Sequence, residues 1–463
     1  MLNDKGWLSV MLNFPLTKVA EKIKKKELSP VELTQEIFNK VSDENNEYHT
    51  FITVLTDTAL ADAKRLEEEL MQGIYRGALH GIPISIKDNI AVKNVPRTNG
   101  SMIDNNHICI EDAYIVERLR QCGAIIIGKT NLDEYANHVV GKNRHYGTIR
   151  HPIKEGYSVG GSSGGSAVSV ATNVSFASIG TDTSGSIRIP ASSCGVVGLK
   201  PTYNLIPTVG ITPVSWSLDH VGILTKNSAD LAVVFAAIMN ASTNFADTKK
   251  HVQINRDKML FEMKVGVIEN YFTDFIATEV EEQFNNIVEQ LINMGVKVQK
   301  IKLENLGEMM NCQEIIIGFE FAAIQQRNFL QYEEHYEDFN YDFIKYGLDI
   351  TFSEYRKALL EREKIKHKFA ELFTLCDIII SPTLPILPPK LSENLVDWGT
   401  FKEDILIALS RYTGPFNISG LPAMSLPIGK SVNGLPIGLQ LVSDFYREEQ
   451  LIKTATMFEE LLN

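Results

Sequence analysis

No run of 18 or more apolar residues occurs in this 463-residue sequence, so no segment is long enough to span a bilayer as a helix. The opening residues MLNDKGWLSVMLNFPLTKVAEKIKKK lack a small-residue cleavage site after their short apolar stretch, and no signal peptide is expected. Cysteine is scarce. The five present (Cys109, Cys122, Cys194, Cys312, Cys376) are odd in number and widely spaced, with no C-x-x-C pair and no Cys/His grouping at zinc spacing. A disulfide framework and a structural zinc site are therefore excluded, and reduced thiols in a cytoplasmic protein are expected. Basic charge is also short: 45 Lys and Arg stand against 57 Asp and Glu, for a net charge of −12, and no basic stripe stands out. Neither nucleic acid nor membrane is an expected partner. No repeat period and no Pro/Gly/Ser linker divides the chain, although its length would allow up to about three domains.

What is present reads as a folded α/β protein. Ser29-Pro30-Val31-Glu32 has the form of a capping box with Pro at the first helical position, ahead of a helix through Leu33, Ile37 and Val41. A second helix carries Ala59, Ala63, Leu66 and Leu70. Strand-like runs follow at Ile82 to Ile86, Ala124 to Ile127 and Phe176 to Ile179. Beyond them, Val265 to Ile268 reads as a strand and Thr278-x-x-Glu281 as the cap of a helix ended by Gly295. Val296 to Ile301 is a further strand, and Ser353 to Phe373 a further helix. Asn433-Gly434 between Met424 to Ile428 and Ile437 to Val442 predicts a hairpin. The expected fold class is α/β, a single large domain (1–463) with a mixed β-sheet core flanked by helices.

Residues 156–195 concentrate eight glycines and eleven serines in 40 positions. A flexible linker would have that composition, but Val168, Val170, Val174, Phe176, Ile179, Ile187 and Ile189 are interleaved throughout, which suits buried, ordered structure. Glycine lets backbone N–H groups approach a ligand closely. A serine beside such glycines, as in Gly161-Ser162 and Gly185-Ser186, suits acyl transfer, where a nucleophile and an oxyanion hole converge on one carbonyl. A serine needs a base, yet none of the ten histidines falls in this stretch and no G-x-S-x-G elbow occurs. Ser217-Leu218-Asp219-His220 holds the three residue types of a triad, but adjacent Asp219 and His220 side chains diverge. A deprotonated lysine remains. Strand alternation puts Lys87 with Ser85 opposite Ile84 and Ile86, which in an ordinary sheet means a solvated lysine.

The motifs GGSSGGSA (160–167), TDTSGSIRIP (181–190), CGVVGLKPT (194–202) and PISIKDNI (83–90) together resemble the amidase signature family, Ser-Ser-Lys hydrolases of carboxamides. The likeness extends from SPVELTQ (29–35) through SWSLDHVG (215–222) and PTLPILPP (382–389) to GLPIGLQLV (434–442), with a signature core at about 75–225. The resemblance implies catalytic roles for Ser186 as the acyl-forming nucleophile, Ser162 as the bridging serine after a cis peptide bond, and Lys87 as the base. It implies an oxyanion hole of the Thr183, Ser184, Gly185 and Ser186 amides. Ser163, Asp182 and Arg188 would support the site. Ser184 departs from the glycine usual in the family, which reduces the loop's freedom. No metal or organic cofactor is implied.

Gly123 to Thr130 satisfies G-x-x-x-x-G-K-[ST], but its interior, Ala124-Ile125-Ile126-Ile127, is a strand-type run and not a phosphate loop. One relative in the family is the glutamine-hydrolysing component of a tRNA-dependent amidotransferase, which passes ammonia to a partner protein. YGLDITFSEYRKALLERE (346–363) lacks the paired tyrosines associated with that component's glutamine pocket, and SWSLDHVG looks more like stand-alone amidases. The expectation is a stand-alone amidase acting on a small-molecule amide, with a homodimer as the default assembly. Trp216, Tyr355 and Phe416 are candidates for an apolar pocket lining.

Overall fold

The computed structural model describes residues 4–239, 262–303 and 309–462. Among the described residues eleven strands form one mixed sheet. They are β1 (Phe51–Val54), β2 (Pro83–Lys87), β3 (Ile125–Thr130), β4 (Ala177–Asp182), β5 (Val197–Lys200), β6 (His220–Thr225), β7 (Lys264–Ile268), β8 (Lys297–Ile301), β9 (Ile378–Pro382), β12 (Ala423–Lys430) and β13 (Pro436–Val442). Between β9 and β12 lies a separate two-stranded ribbon, β10 (Leu395–Asp397) and β11 (Lys402–Asp404). The order across the main sheet is β1-β3-β2-β4-β6-β5-β12-β13-β9-β7-β8. β2 runs parallel to both β3 and β4, as β7 does to β8 and β9, while the pairs between these groups are antiparallel.

Side-chain alternation sorts the core onto two faces. Ile84 and Ile86 of β2, Ala177 and Ile179 of β4, Val221 and Ile223 of β6, and Leu439 and Leu441 of β13 join one large cluster with the helices Pro30–Tyr48, Thr56–Met71, Ser228–Met239 and Glu448–Leu462. The opposite face is covered as well. There Leu224 packs with Val168, Val170, Ile187 and Ala191 of the Gly/Ser-rich stretch. That stretch is ordered: its helices Gly164–Ala171 and Arg188–Cys194 bracket β4, and Gly164 to Val170 are buried. A helix with no charged residue and small side chains all round belongs inside a protein. Lys87 therefore lies under a helix, fully buried, and not in the solvent that alternation alone suggested.

Several local expectations are refined. Ser29 is the N-cap and accepts from the backbone N–H of Val31 and Glu32, but its hydroxyl contacts Glu67, so the reciprocal half of the box is missing. Thr278 is the first residue of its helix and does not cap it; Ala277 stands at the cap without a side-chain bond. The second long helix runs Phe352–Leu372 behind a complete box of Thr351 and Glu354. The β12–β13 hairpin forms, with Gly434 at φ +82° and its N–H on the Ser431 carbonyl, while Asn433 keeps an ordinary φ. Gly128-Lys129-Thr130 lies inside β3, with Lys129 buried against Asp88 at 3.0 Å, so this segment forms no phosphate loop.

Gly165 fixes how closely the Gly164–Ala171 helix approaches the sheet. A Cβ there would fall 2.5 Å from the Asn131 carbonyl oxygen and 2.6 Å from that of Thr50, both backbone atoms that cannot swing aside. Gly165→Ala is expected to cost about 1–3 kcal/mol through overpacking. A urea-unfolding midpoint equal to that of the unsubstituted protein would show that the helix has slack.

Candidate active site

The carboxyl ends of the parallel strands β2 and β4 meet at the sheet's covered face, where Lys87 ends one strand and Asp182 the other. Such strand ends are where open α/β sheets place ligands. Lys87 Nζ donates to Ser162 Oγ at 2.7 Å and to Thr181 Oγ1 at 2.9 Å. Among the described residues no carboxylate ion-pairs with it. Burial lowers the Lys87 amine to about 7, against the opposing pull of Asp133, Asp182 and Asp219. Neighbouring polar groups complete this floor: Asn89 Nδ2 also donates to Thr181 Oγ1. Ser85 bonds the hydroxyls of Ser169 and Ser178.

Ser162 and Ser163 stand just before the Gly164–Ala171 helix, and the Gly161–Ser162 peptide bond is cis. Gly161 is required by its neighbour Asp133, whose Oδ2 would lie 2.0 Å from any Cβ added there. Burial raises the Asp133 carboxyl to about 7, while the N–H groups of Gly141 and Lys142 hold its oxygens. Ser163 Oγ donates to the Thr181 carbonyl, and Ser163 N–H donates to the Ser186 carbonyl at 3.2 Å, which ties the two serine loops together. Ser186 Oγ has no hydrogen-bond partner among the described residues, Ser162 included; of the three side chains it alone lines the cavity. The order of depth is thus Ser186 at the cavity wall, with Ser162 and Lys87 fully buried behind it.

Asp182 and Arg188 are not independent surface charges. Both are wholly buried, and Arg188 Nε and Nη2 lie 3.1 and 2.9 Å from the two carboxylate oxygens. Arg188 also donates to Thr413 O, Gln440 Oε1 and Asn417 Oδ1, while Asn417 Nδ2 returns to Asp182. Asp182 accepts from the N–H groups of Gly185 and Ile187 at 2.9 and 3.1 Å. These partners, Arg188 foremost, hold its carboxyl far below the ordinary range despite burial. The Gly185 N–H donates to Asp182 Oδ1, while the N–H groups of Thr183, Ser184 and Ser186 have no backbone partner among the described residues. Gly185 is needed for its φ of +134° and for the close approach of Thr413. Ser184 has no positive φ, so a serine sits there without backbone strain, its carbonyl accepting from Thr413 Oγ1.

Asp219 and His220 do not form a relay. Asp219 accepts from Thr183 Oγ1 and the N–H groups of Val214 and Ser215, while His220 Nδ1 faces the Leu218 carbonyl. Asp219 thereby braces the Ser186 loop from the opposite end. The sequence singled out Asp219 only as part of a triad, and Thr181, Asn417 and Gln440 are not marked in it as site residues, because each of the three acts through a partner more than 90 residues away.

A cavity of about 320 Å³ opens over Thr183, Ser184 and Ser186. Its walls are largely apolar, with Val139, Val214, Ile317, Phe339, Phe343 and Ile407 among them. The polar groups include Gln313, Glu314, His138 and Asp404; among the described residues no lysine or arginine lines it. Burial lowers His138 to about 4, so it is neutral near pH 7. Trp216, Tyr355 and Phe416 are absent from the walls: Trp216 is exposed, Tyr355 donates to Glu320, and Phe416 is core. Among the described residues no group of three His, Cys, Asp or Glu side chains is placed to hold a metal ion, and no helix is long and apolar enough to cross a membrane. The five thiols are all unbridged.

A buried lysine-serine pair behind a serine at a cavity wall, on a mixed α/β sheet, defines a class of acyl-transfer hydrolase fold. The family description "Amidase" matches residues 32–452, and the chain belongs to the amidase family, whose members are carbon–nitrogen hydrolases. It is 33% identical to a component of the glutamyl-tRNA(Gln) amidotransferase of Lachnospira eligens, over 97% of this chain and 98% of that one. A solved amidase structure superposes with a TM-score of 0.88 at 28% identity, covering 97% and 100% of the two chains. The 6-aminohexanoate cyclic dimer hydrolase, solved with its substrate, gives 0.85 at 27% identity, covering 97% of each.

The Asp182–Arg188 pair offers a direct test of what shapes the Ser186 loop. Arg188→Met leaves a buried carboxylate without its partner and is expected to destabilise the protein by about 3–5 kcal/mol. Urea unfolding would read that loss; a change below about 1 kcal/mol would mean that Asn417 and the backbone amides suffice.

Proposed function

We propose that this protein is a stand-alone amidase that hydrolyses a small-molecule carboxamide to the acid and ammonia or an amine. The observation that carries the reading is a fully buried Lys87 amine, 2.7 Å from Ser162 Oγ, lying behind the one serine of the three that reaches the cavity. Ser186 Oγ attacks the amide carbon while its proton passes to Ser162 and the Ser162 proton to neutral Lys87. This requires Ser186 to turn toward Ser162 as substrate binds, an alignment that catalytic hydrogen bonds commonly acquire only in the substrate complex. The free amides of Thr183, Ser184 and Ser186 receive the developing oxyanion. Collapse breaks the C–N bond, and the Lys87 ammonium returns a proton through Ser162 to the leaving nitrogen. Water then enters by the same relay, releasing the acid from Ser186.

The lack of a cation on the described cavity wall supports an independent enzyme over a glutaminase. Free glutamine carries an α-carboxylate, for which the described wall offers no cationic partner; Glu314 and Asp404 would instead attract its α-ammonium group. The second reading, a glutamine-hydrolysing component that passes ammonia on, draws support from the name of the near-full-length relative. Purified protein alone should release ammonia from aliphatic and aromatic amides; strict dependence on glutamine and on a second protein would favour the amidotransferase. The same proposal treats 1–463 as one amidase domain with its core at about 75–225, and takes it to act in the cytoplasm, which the five unbridged thiols support.

Ser186→Ala is expected to abolish covalent labelling by a fluorophosphonate, and Lys87→Ala to lower kcat by about 10²–10⁴-fold, the usual worth of a general base. Lys87→Ala with near-normal turnover at neutral pH would remove the relay. The base works as the neutral amine, so kcat/KM should rise with pH through about 7 and level off above it. Asp133 and Asp219, both raised to about 7 by burial, ionise across the same window and oppose the loss of the lysine proton. A profile flat down to pH 5 would contradict the assignment.

A further inference from the structure

Gln313 is the anomaly of the cavity. It stands in the long helix Met309–Tyr332, only 3% exposed, on a wall it shares with Met310, Glu314, Ile317, Phe339 and Phe343. Its carboxamide makes no hydrogen bond among the described residues, and Oε1 is fully shielded without a partner. A buried polar group left unpaired is rare in folded proteins, and a leucine or methionine here would fill the same space without that cost.

The position of this carboxamide ties it to the reacting end of the cavity. Its oxygen lies over Gly414, where an added Cβ would fall 2.1 Å from Oε1. The preceding residue, Thr413, donates to the Ser184 carbonyl at 2.6 Å and abuts Gly185. Gln313 thus reaches the nucleophile loop through Gly414 and Thr413, held in place by the missing side chain at Gly414. Of its two polar atoms Oε1 is fully shielded and Nε2 is not, so the carboxamide offers the cavity its N–H₂, a donor matched by the carbonyl of another amide group.

We propose that Gln313 is a specificity residue that hydrogen-bonds a second amide group on the acyl side of the substrate, so that the preferred substrates are carboxamides with an apolar side chain and an additional amide nearby. This rests on the amidase reading above and narrows its substrate class. The apolar walls take the side chain and Gln313 takes the second amide. A substrate lacking that group leaves Gln313 unpaired and loses discrimination, since sites built to hydrogen-bond reject analogues that cannot.

N-acetyl-leucinamide and 4-methylpentanamide share a carbon skeleton and differ by the acetamido group, which makes them a suitable pair. The unsubstituted protein is expected to favour the first in kcat/KM by about tenfold or more, the worth of a good hydrogen bond. Gln313→Leu and Gln313→Met should both bring that ratio to within about twofold. The rate of Ser186 labelling by a fluorophosphonate, read on the same samples, reports that the catalytic groups are intact. No preference in the unsubstituted protein, or an undiminished preference in both variants, would overturn the role given to Gln313 while labelling and hydrolysis left the amidase reading standing. Absence of labelling and of all hydrolysis in the unsubstituted protein would instead strike the amidase reading itself and this inference with it.

Discussion

Lys87 Nζ is shut away from water with two hydroxyl groups for partners and no described carboxylate within ion-pairing distance. An ammonium ion in that position loses its hydration without a counter-charge in return, so the surroundings favour the neutral amine. The adjacent strand shows the alternative: Lys129, equally buried, is paired with Asp88 at 3.0 Å. Lys200, a third buried lysine, is met by the carbonyls of Leu421 and Pro201, and burial lowers its amine well below the ordinary range. Of the three, only Lys87 is placed one hydroxyl behind a serine loop that opens on a cavity. The proposed chemistry depends on that difference.

The rest of the site serves to hold the two serine loops against each other. Asp182 is the hub: its carboxylate gathers Arg188, Asn417 and the N–H groups of Gly185 and Ile187, so the backbone between β4 and the next helix is bound at both ends. Arg188 extends the same network to Thr413 and Gln440, which belong to segments more than 200 residues away in sequence. Such a network, with every member satisfied, fixes one arrangement of the loop. The cavity is shared between the region of about 75–225 that carries the serines, which supplies Ala136 to Val139, Thr183, Ser184, Ser186 and Val214, and the helices 309–332, 338–349 and 405–410 with Asp404.

How much of this was legible in the sequence follows from where each signal originates. Strands β2 and β4 and the amphipathic helix at 278–293 announce themselves by local periodicity, and the glycine–serine stretch carries the residues of the family resemblance in order. The environment of Lys87 was not legible, because alternation tells which face a side chain takes and not whether a helix covers that face. The charge-free segment GGSAVSVA was the available hint that one does. The engagement of the Gly185 N–H follows from a carboxylate three residues upstream turning back on the loop, a local geometry no pattern encodes. Gln313 is invisible for a different reason: in a helix that also carries Gln325, Gln326 and Gln331 it reads as one more surface glutamine, and only the packed fold reveals that nothing described pairs with it.

Whether the Lys87 amine sheds its proton near neutrality decides the rest, and a side-chain titration addresses it without reference to turnover. In protein labelled with ¹³C at the lysine ε-carbons, the resonance lost in Lys87→Met assigns the group, and its shift can be followed with pH. A midpoint near 7 is expected for this one lysine. A midpoint above about 10, in line with exposed lysines, would contradict the neutral-amine base.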